Sequence, residues 1–464
     1  MLDRLQVPML SAAVALVGVG AACAPGGDAP SDTGPTAEAS DDCAPDPSWF
    51  PHARTPRPDA DAFVGQSQCA FHQFSWQAFL WLTQEGPSGG PRFLSLTTPG
   101  ELYGQGLGAG LLPRMAKSAD PEPIDEFLQA GTDGIMTDLQ GHPIYYSQYV
   151  DSVFDTFLRS RNLTDTAALY ALDDTVTFPN GATSLKASWK RVLDGEDASD
   201  FFTMQAEVYE LANRAGAIVV DTTRTSTKTL ALVGFHIAVR VEGHPEMIWA
   251  TFEHERNAPN IFSQDNVGDT VLMTDTISTR DFTFYSAGTP RSECNVNYAS
   301  SQSRSLDPAT QTITPITQVC REYQFGNLPP PVSDTGTIAR RVSQSDANVD
   351  SLNAHVRANL QPSDVWSNYA EVGAIWFVPT DGLRPGQALD TDSLLIGSLR
   401  LSNATIETFT QSQSTMNNCF RCHNTLQKAV PLAGGGGARR ALPAKNVNIS
   451  HVLVNGYFRG RGQP

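Results

Sequence analysis

The sequence predicts an α+β fold built on an antiparallel sheet, and three observations lead there. Short runs rich in β-branched and aromatic residues, "GAIVVDTT", "TLALVGFHIAVRV" and "EMIWATFEHE", follow one another in the middle of the chain. Segments with apolar residues at helical spacing lie before and after them. Strands and helices do not alternate as βα units, and no repeat of fixed period is present, which points away from a parallel doubly wound sheet.

Taken in order, the first apolar-periodic segment is "QCAFHQFSWQAFLWLTQ", with Phe71, Phe74, Phe79 and Leu82 on one period and Trp76 and Leu80 beside them, and it reads as a buried amphipathic helix. Helix is expected again across "YSQYVDSVFDTFLRSR" and across "TIARRVSQSDANVDSLNAHVRANLQP", which Pro362 ends. "ATSLKASWKRV" alternates as a weaker strand and "GAIWFVPT" reads as another. Between the last two central strands, "EGHPE" is expected to be a hairpin loop. His236 and His254 would then lie on neighbouring strands, where with Glu253 they could form a polar cluster; the more economical reading is satisfied polar residues at strand ends, because a one-residue slip in register moves a side chain to the other face. His72 reads as a helix-surface histidine, and Trp76, Trp81, Trp189, Trp249, Trp366 and Trp376 as core.

The chain has 464 residues, 40% of them hydrophobic and 17% charged, enough for a sizeable core. Its formal net charge of -17 sets a field that repels phosphate backbones and anionic lipid, so nucleic acid is not an expected partner and a basic protein is. At the start, Arg4 precedes an apolar stretch from Val7 to Val19, and Gly20, Ala21 and Ala22 lead into Cys23. That layout is an export signal, too short for a membrane span. It resembles a bacterial lipoprotein signal, which implies lipidation of Cys23 as the first mature residue and membrane contact only through that lipid. The alternative is plain cleavage near Ala22. Residues 23–48, rich in Pro, Gly, Asp and Ser, cannot bury a core and read as a tether. Residues 49–400 would be the α+β body and 401–464 a C-terminal segment.

Setting Cys23 and the pair Cys419 and Cys422 aside leaves Cys43, Cys69, Cys294 and Cys320, which should form two disulfides in an oxidising compartment. Three pairings are possible. Pairing each cysteine with its sequence neighbour closes loops of about 26 residues, worth about 3 kcal/mol apiece in the chain-entropy model, and is the expected one.

The segment that bears on function is "NNCFRCHNT". Cys419, Cys422 and His423 have the spacing at which one helical turn presents two thiols and an imidazole on a shared face, with Ser414 or Thr415 as a cap. Zinc would want two more ligands at companion spacing, which are not found nearby. A thioredoxin-type dithiol would follow a strand, and "ATIETFTQSQSTMNN" is not a convincing one. A structural disulfide or chance spacing is the plain alternative. The motif resembles that of c-type cytochromes, over about the last sixty residues only. The resemblance implies one covalent haem c, with thioether bonds at Cys419 and Cys422 and His423 as the proximal iron ligand. Such cytochromes commonly take a downstream Met as the sixth ligand, yet no Met follows Met416. His451, the only downstream histidine, is the candidate distal ligand; His236, His254, an upstream Met or an open position are the alternatives. The expected function is electron transfer to a periplasmic redox partner by an exported protein, periplasmic or held at the outer membrane as a lipoprotein. A haem-dependent oxidoreductase, or a haem-bearing sensor or binding protein, is the alternative, and the sequence shows no other catalytic fingerprint.

Overall fold

The sheet is organised around a strand that the sequence presents as two. In the computed structural model, β1 (Tyr145–Val150), β2 (Thr183–Arg191), β3 (Thr203–Arg214), β4 (Ala217–Val241) and β5 (His244–His254) are followed by β6 (Asn260–Phe262), β7 (Ser305–Asp307), β8 (Thr312–Thr314) and β9 (Arg321–Tyr323). Then come β10 (Tyr369–Phe377), β11 (Leu395–Gly397), β12 (Lys428–Pro431) and β13 (Arg439–Leu442). The helices are α1 (Gln68–Thr83), α2 (Pro99–Leu102), α3 (Ser152–Ser160), α4 (Thr166–Ala171), α5 (Thr337–Asn359), α6 (Cys419–Cys422) and α7 (His451–Gly460). The structure describes residues 43–460 except 64, 66, 88, 105–129, 131–133, 215, 299–303, 332, 379–381, 390–391 and 432–438. The expected export signal and lipidation at Cys23 therefore lie outside the described residues.

Seven strands form one antiparallel sheet in the order β1-β2-β4-β5-β10-β11, with β3 paired to β4. The fold is α+β. The 25 residues of β4 absorb both "GAIVVDTT" and "TLALVGFHIAVRV". The polar "RTSTK" between them does not break the strand because β3 runs beside it, pairing from Arg214↔Ala217 to Thr203↔Ala231, with a bulge in β4 that takes up Thr222, Thr223 and Arg224 between the Glu210↔Asp221 and Tyr209↔Thr225 pairs. That partner, "TMQAEVYELANR", has no clean apolar alternation and is not evident from sequence. The β4–β5 hairpin is tighter than "EGHPE" suggests: His244, Pro245 and Glu246 already belong to β5, and Gly243 turns the chain at a φ of +77°. "YSQYV" is strand β1, not helix, and the helix begins after Asp151, whose carboxylate accepts from Phe154 N.

Both faces of the central strands are covered, so they read as near-continuous apolar runs. On one face α1 packs Phe79 over Phe252, ring centroids 4.2 Å apart, and Phe71 over Trp376 at 4.0 Å. The other face carries Ala238, Met247, Val372, Ile375 and Phe377, and is covered by C-terminal residues including Leu401, Phe420, Ile449, Leu453 and Tyr457 in one buried cluster. Described residues on both sides of position 401, among them Leu399 and Phe420, share this cluster.

Cys43 bonds Cys69 and Cys294 bonds Cys320, the sequence-neighbour pairing. Cys43 is buried, and Asp46 caps a short 3-10 turn, Pro47–Trp49, by accepting from Ser48 N. The last residues of the expected tether thus belong to the body.

Candidate functional site

The CxxCH motif lies against the second face of the sheet. Asn418 accepts from Arg421 N at 3.1 Å and starts α6, a single turn. His423 N donates to Cys419 O at 2.7 Å and the helix stops there. The longer helix that the sequence suggests, with Ser414 or Thr415 as cap, does not form. The reason is local competition: Asn424 Nδ2 donates to Arg421 O, while its Oδ1 accepts from Leu426 N and Lys428 Nζ, so asparagine side chains take the backbone groups that further helical turns would use. Phe420 is fully buried, 4.8 Å from the Phe377 ring and 6.2 Å from Trp249, and pins the turn to β10 and β5. Both motif thiols are half-buried.

His423 is held on two sides. Its Nδ1 lies 2.9 Å from Ile449 O, an acceptor only, so Nδ1 carries the proton and Nε2 keeps its lone pair. The Trp249 ring lies 4.2 Å away. Of the six tryptophans expected in the core, Trp76, Trp189, Trp366 and Trp376 are buried, whereas Trp81 and Trp249 are only half-buried. His451 stacks on His423 with centroids 3.8 Å apart and planes 23° from parallel. Its Nε2 lies 3.2 Å from Cys422 O and donates to it. The two imidazoles are thus face to face and in contact. Lys428, donating to Asn424 and Cys422 O, has its ammonium pKa lowered by burial, with the nearby Cys422 acting the other way.

Among the described residues, no group of three or more His, Cys, Asp or Glu side chains could hold a metal ion. A haem iron asks less of the chain, one or two axial ligands, because the porphyrin supplies four nitrogens. The residues present fit that demand: two half-buried thiols at CxxC spacing and one imidazole whose second nitrogen is fixed by a carbonyl, the orientation that metal-binding histidines require.

His236 and His254 do not come together. His236 is paired in register with Thr251, and Glu253 is two residues on, so these share a face; His254 is one further and points to the other. His236 Nε2 meets Glu407 at 2.8 Å, and Glu253 accepts from Ala404 N and Arg321 Nη2. His254 is buried, donates through Nε2 to Asp200 O, and has its pKa lowered to about 3, chiefly by desolvation. His72 is not on the surface. Its Nδ1 is 3.0 Å from Glu371 Oε1 and its Nε2 is 3.2 Å from Ser345 Oγ. This is the hydrogen-bond order of a nucleophile, a base and an orienting acid, but His72 and Ser345 are 0% exposed and Glu371 1%, so no substrate reaches the hydroxyl. The three form a buried polar link between α1, α5 and β10. Ser345 and Asp346 face inward from a helix whose polar composition gives no sign of it.

No family model, curated protein or solved structure matches this chain.

Proposed function

We propose that the chain is an exported monohaem c-type cytochrome, with haem c bonded through Cys419 and Cys422 and His423 as the axial ligand. The observation that carries this reading is the Nδ1 contact of His423 with Ile449 O, which leaves Nε2 as the ligating atom beside a CxxC pair. The group would supply one-electron transfer between ferrous and ferric iron. The chain's own residues set the surroundings: Asn418 and Asn424 hold the turn, Phe420 anchors it to the sheet, and Trp249 with Ile449 fixes the imidazole. The acidic surface field would steer a basic redox partner toward the protein. Two disulfides support export to an oxidising compartment, with Cys23 as the lipid attachment point.

A second reading, a haem-dependent oxidoreductase or a haem-bearing sensor, is favoured by His451: with Nε2 engaged by Cys422 O, the sixth position would be open to a small ligand. Protein produced in a host that matures cytochromes c, denatured and run on a gel, should keep haem-dependent peroxidase staining. The Cys419→Ser/Cys422→Ser double variant should lose it, and staining unchanged in that variant overturns both readings. Carbon monoxide then separates them, since only an open iron takes it up.

A further inference from the structure

On a different part of the body, the end of β2, the turn at residues 138–140 and the segments 196–201, 256 and 281–283 line a solvent-open cleft of about 350 Å³, within the range of small-molecule sites. Its wall is Phe201, stacked on the buried His254 ring at 3.8 Å with planes 18° apart. His254 is itself held by Asp200 O and by Arg256 N, so the wall is fixed before any ligand arrives. Two cations flank that one ring, Lys190 Nζ at 5.9 Å and Arg256 at 5.7 Å from its centroid.

Lys190 is 5% exposed, which is uncommon for a lysine, and its ammonium is held by Arg191 O and the Glu196 carboxylate. Those two bonds use two of its three donors. Arg256 gives one guanidinium nitrogen to Asp200, and its side chain is 54% exposed at the mouth. Both cations therefore keep donors for a carboxylate. The same lining carries negative groups, Asp138 and Asp281 as well as Glu196. The segment bearing Asp281 is tied down by Thr283 N donating to Arg256 O at 2.8 Å and by Ala287 N donating to Asp281 Oδ1 at 2.8 Å.

We propose that this cleft binds a small zwitterion, a carboxylate and an ammonium on a short carbon frame as in a free amino acid, with Lys190 and Arg256 on the carboxylate and Asp281 on the ammonium. Lys190 and Arg256 are already paired with Glu196 and Asp200, so a ligand carrying one charge of each sign adds no net charge to the lining, whereas a simple anion or a simple amine does. The assignment is independent of the haem motif.

Isothermal titration calorimetry on the full chain tests it with L-alanine and L-glutamate against propionate, which lacks the ammonium, propylamine, which lacks the carboxylate, and glucose, which lacks both. At least one amino acid should bind at least about tenfold more tightly than every control, and Arg256→Gln and Asp281→Asn should each weaken it by about tenfold or more. Both substitutions alter exposed side chains, and circular dichroism and melting temperature are the checks that the variants fold. No heat from either amino acid, tighter binding of glucose, or amino-acid binding that neither variant weakens would overturn the proposal.

Discussion

At the scale of single residues, buried charge is the most consequential feature of the body. Burial pushes the Glu371 carboxyl above its ordinary range, with His72 acting in the other direction, and Glu371 Oε2 is buried without a partner. His72→Leu leaves that carboxyl uncompensated and should cost about 3–5 kcal/mol in urea unfolding, whereas His72→Leu/Glu371→Leu should recover most of the loss. A double variant as unstable as the single one would refute the coupling. Asp346, accepting from Asn327 and Gln264, is pushed up to about 7 by desolvation. Its folded state thus holds a proton that the unfolded chain releases near 4. The associated stability is complete below pH 4 and disappears as pH rises through 7, a fall on the order of 3–4 kcal/mol. Asp346→Asn should flatten that part of the stability curve, and an unchanged slope would assign it to other groups.

At the scale of elements, α6 and α7 decide what the motif can do. The one-turn α6 brings Cys419, Cys422 and His423 together, and α7 begins at His451, whose ring lies flat on His423. For His451 to become the sixth ligand of the proposed haem, this stack must open, and the Cys422 carbonyl must be released if Nε2 is the ligating atom. Electron paramagnetic resonance of the ferric protein reads the outcome: a low-spin bis-histidine signal that turns high-spin in His451→Ala means that α7 rearranges around the haem. Identical spectra for variant and wild type mean that it does not. The spacing of the three motif residues was legible in the sequence, because CxxCH is contiguous. The stack with His451 and the Trp249 contact were not, since they join residues from β5, α6 and α7.

At the scale of the whole molecule, the cysteines divide cleanly. Four form two disulfides in the body, two belong to the motif, and Cys23 stands outside the described residues behind an export-like segment. Fatty-acid labelling in a bacterial host should mark the wild type and spare Cys23→Ser. Unlabelled wild-type protein found wholly in the soluble periplasmic fraction would assign ordinary cleavage instead.

What the sequence by itself determined is local: the fold class, α1, α5, the β4–β5 hairpin and the CxxCH spacing, while among three possible disulfide pairings it favoured the one closing 26-residue loops, which the structure has. Each depends on period, composition or short separation along the chain. Only the tertiary structure decided that β4 continues through a polar stretch beside β3, that residues beyond 401 cover the second face of the sheet, and that His72 is buried. Those outcomes depend on which surfaces meet. A polar side chain reads as exposed in sequence until a distant element, here Glu371 of β10 and Ser345 of α5, supplies the hydrogen bonds that let it be buried.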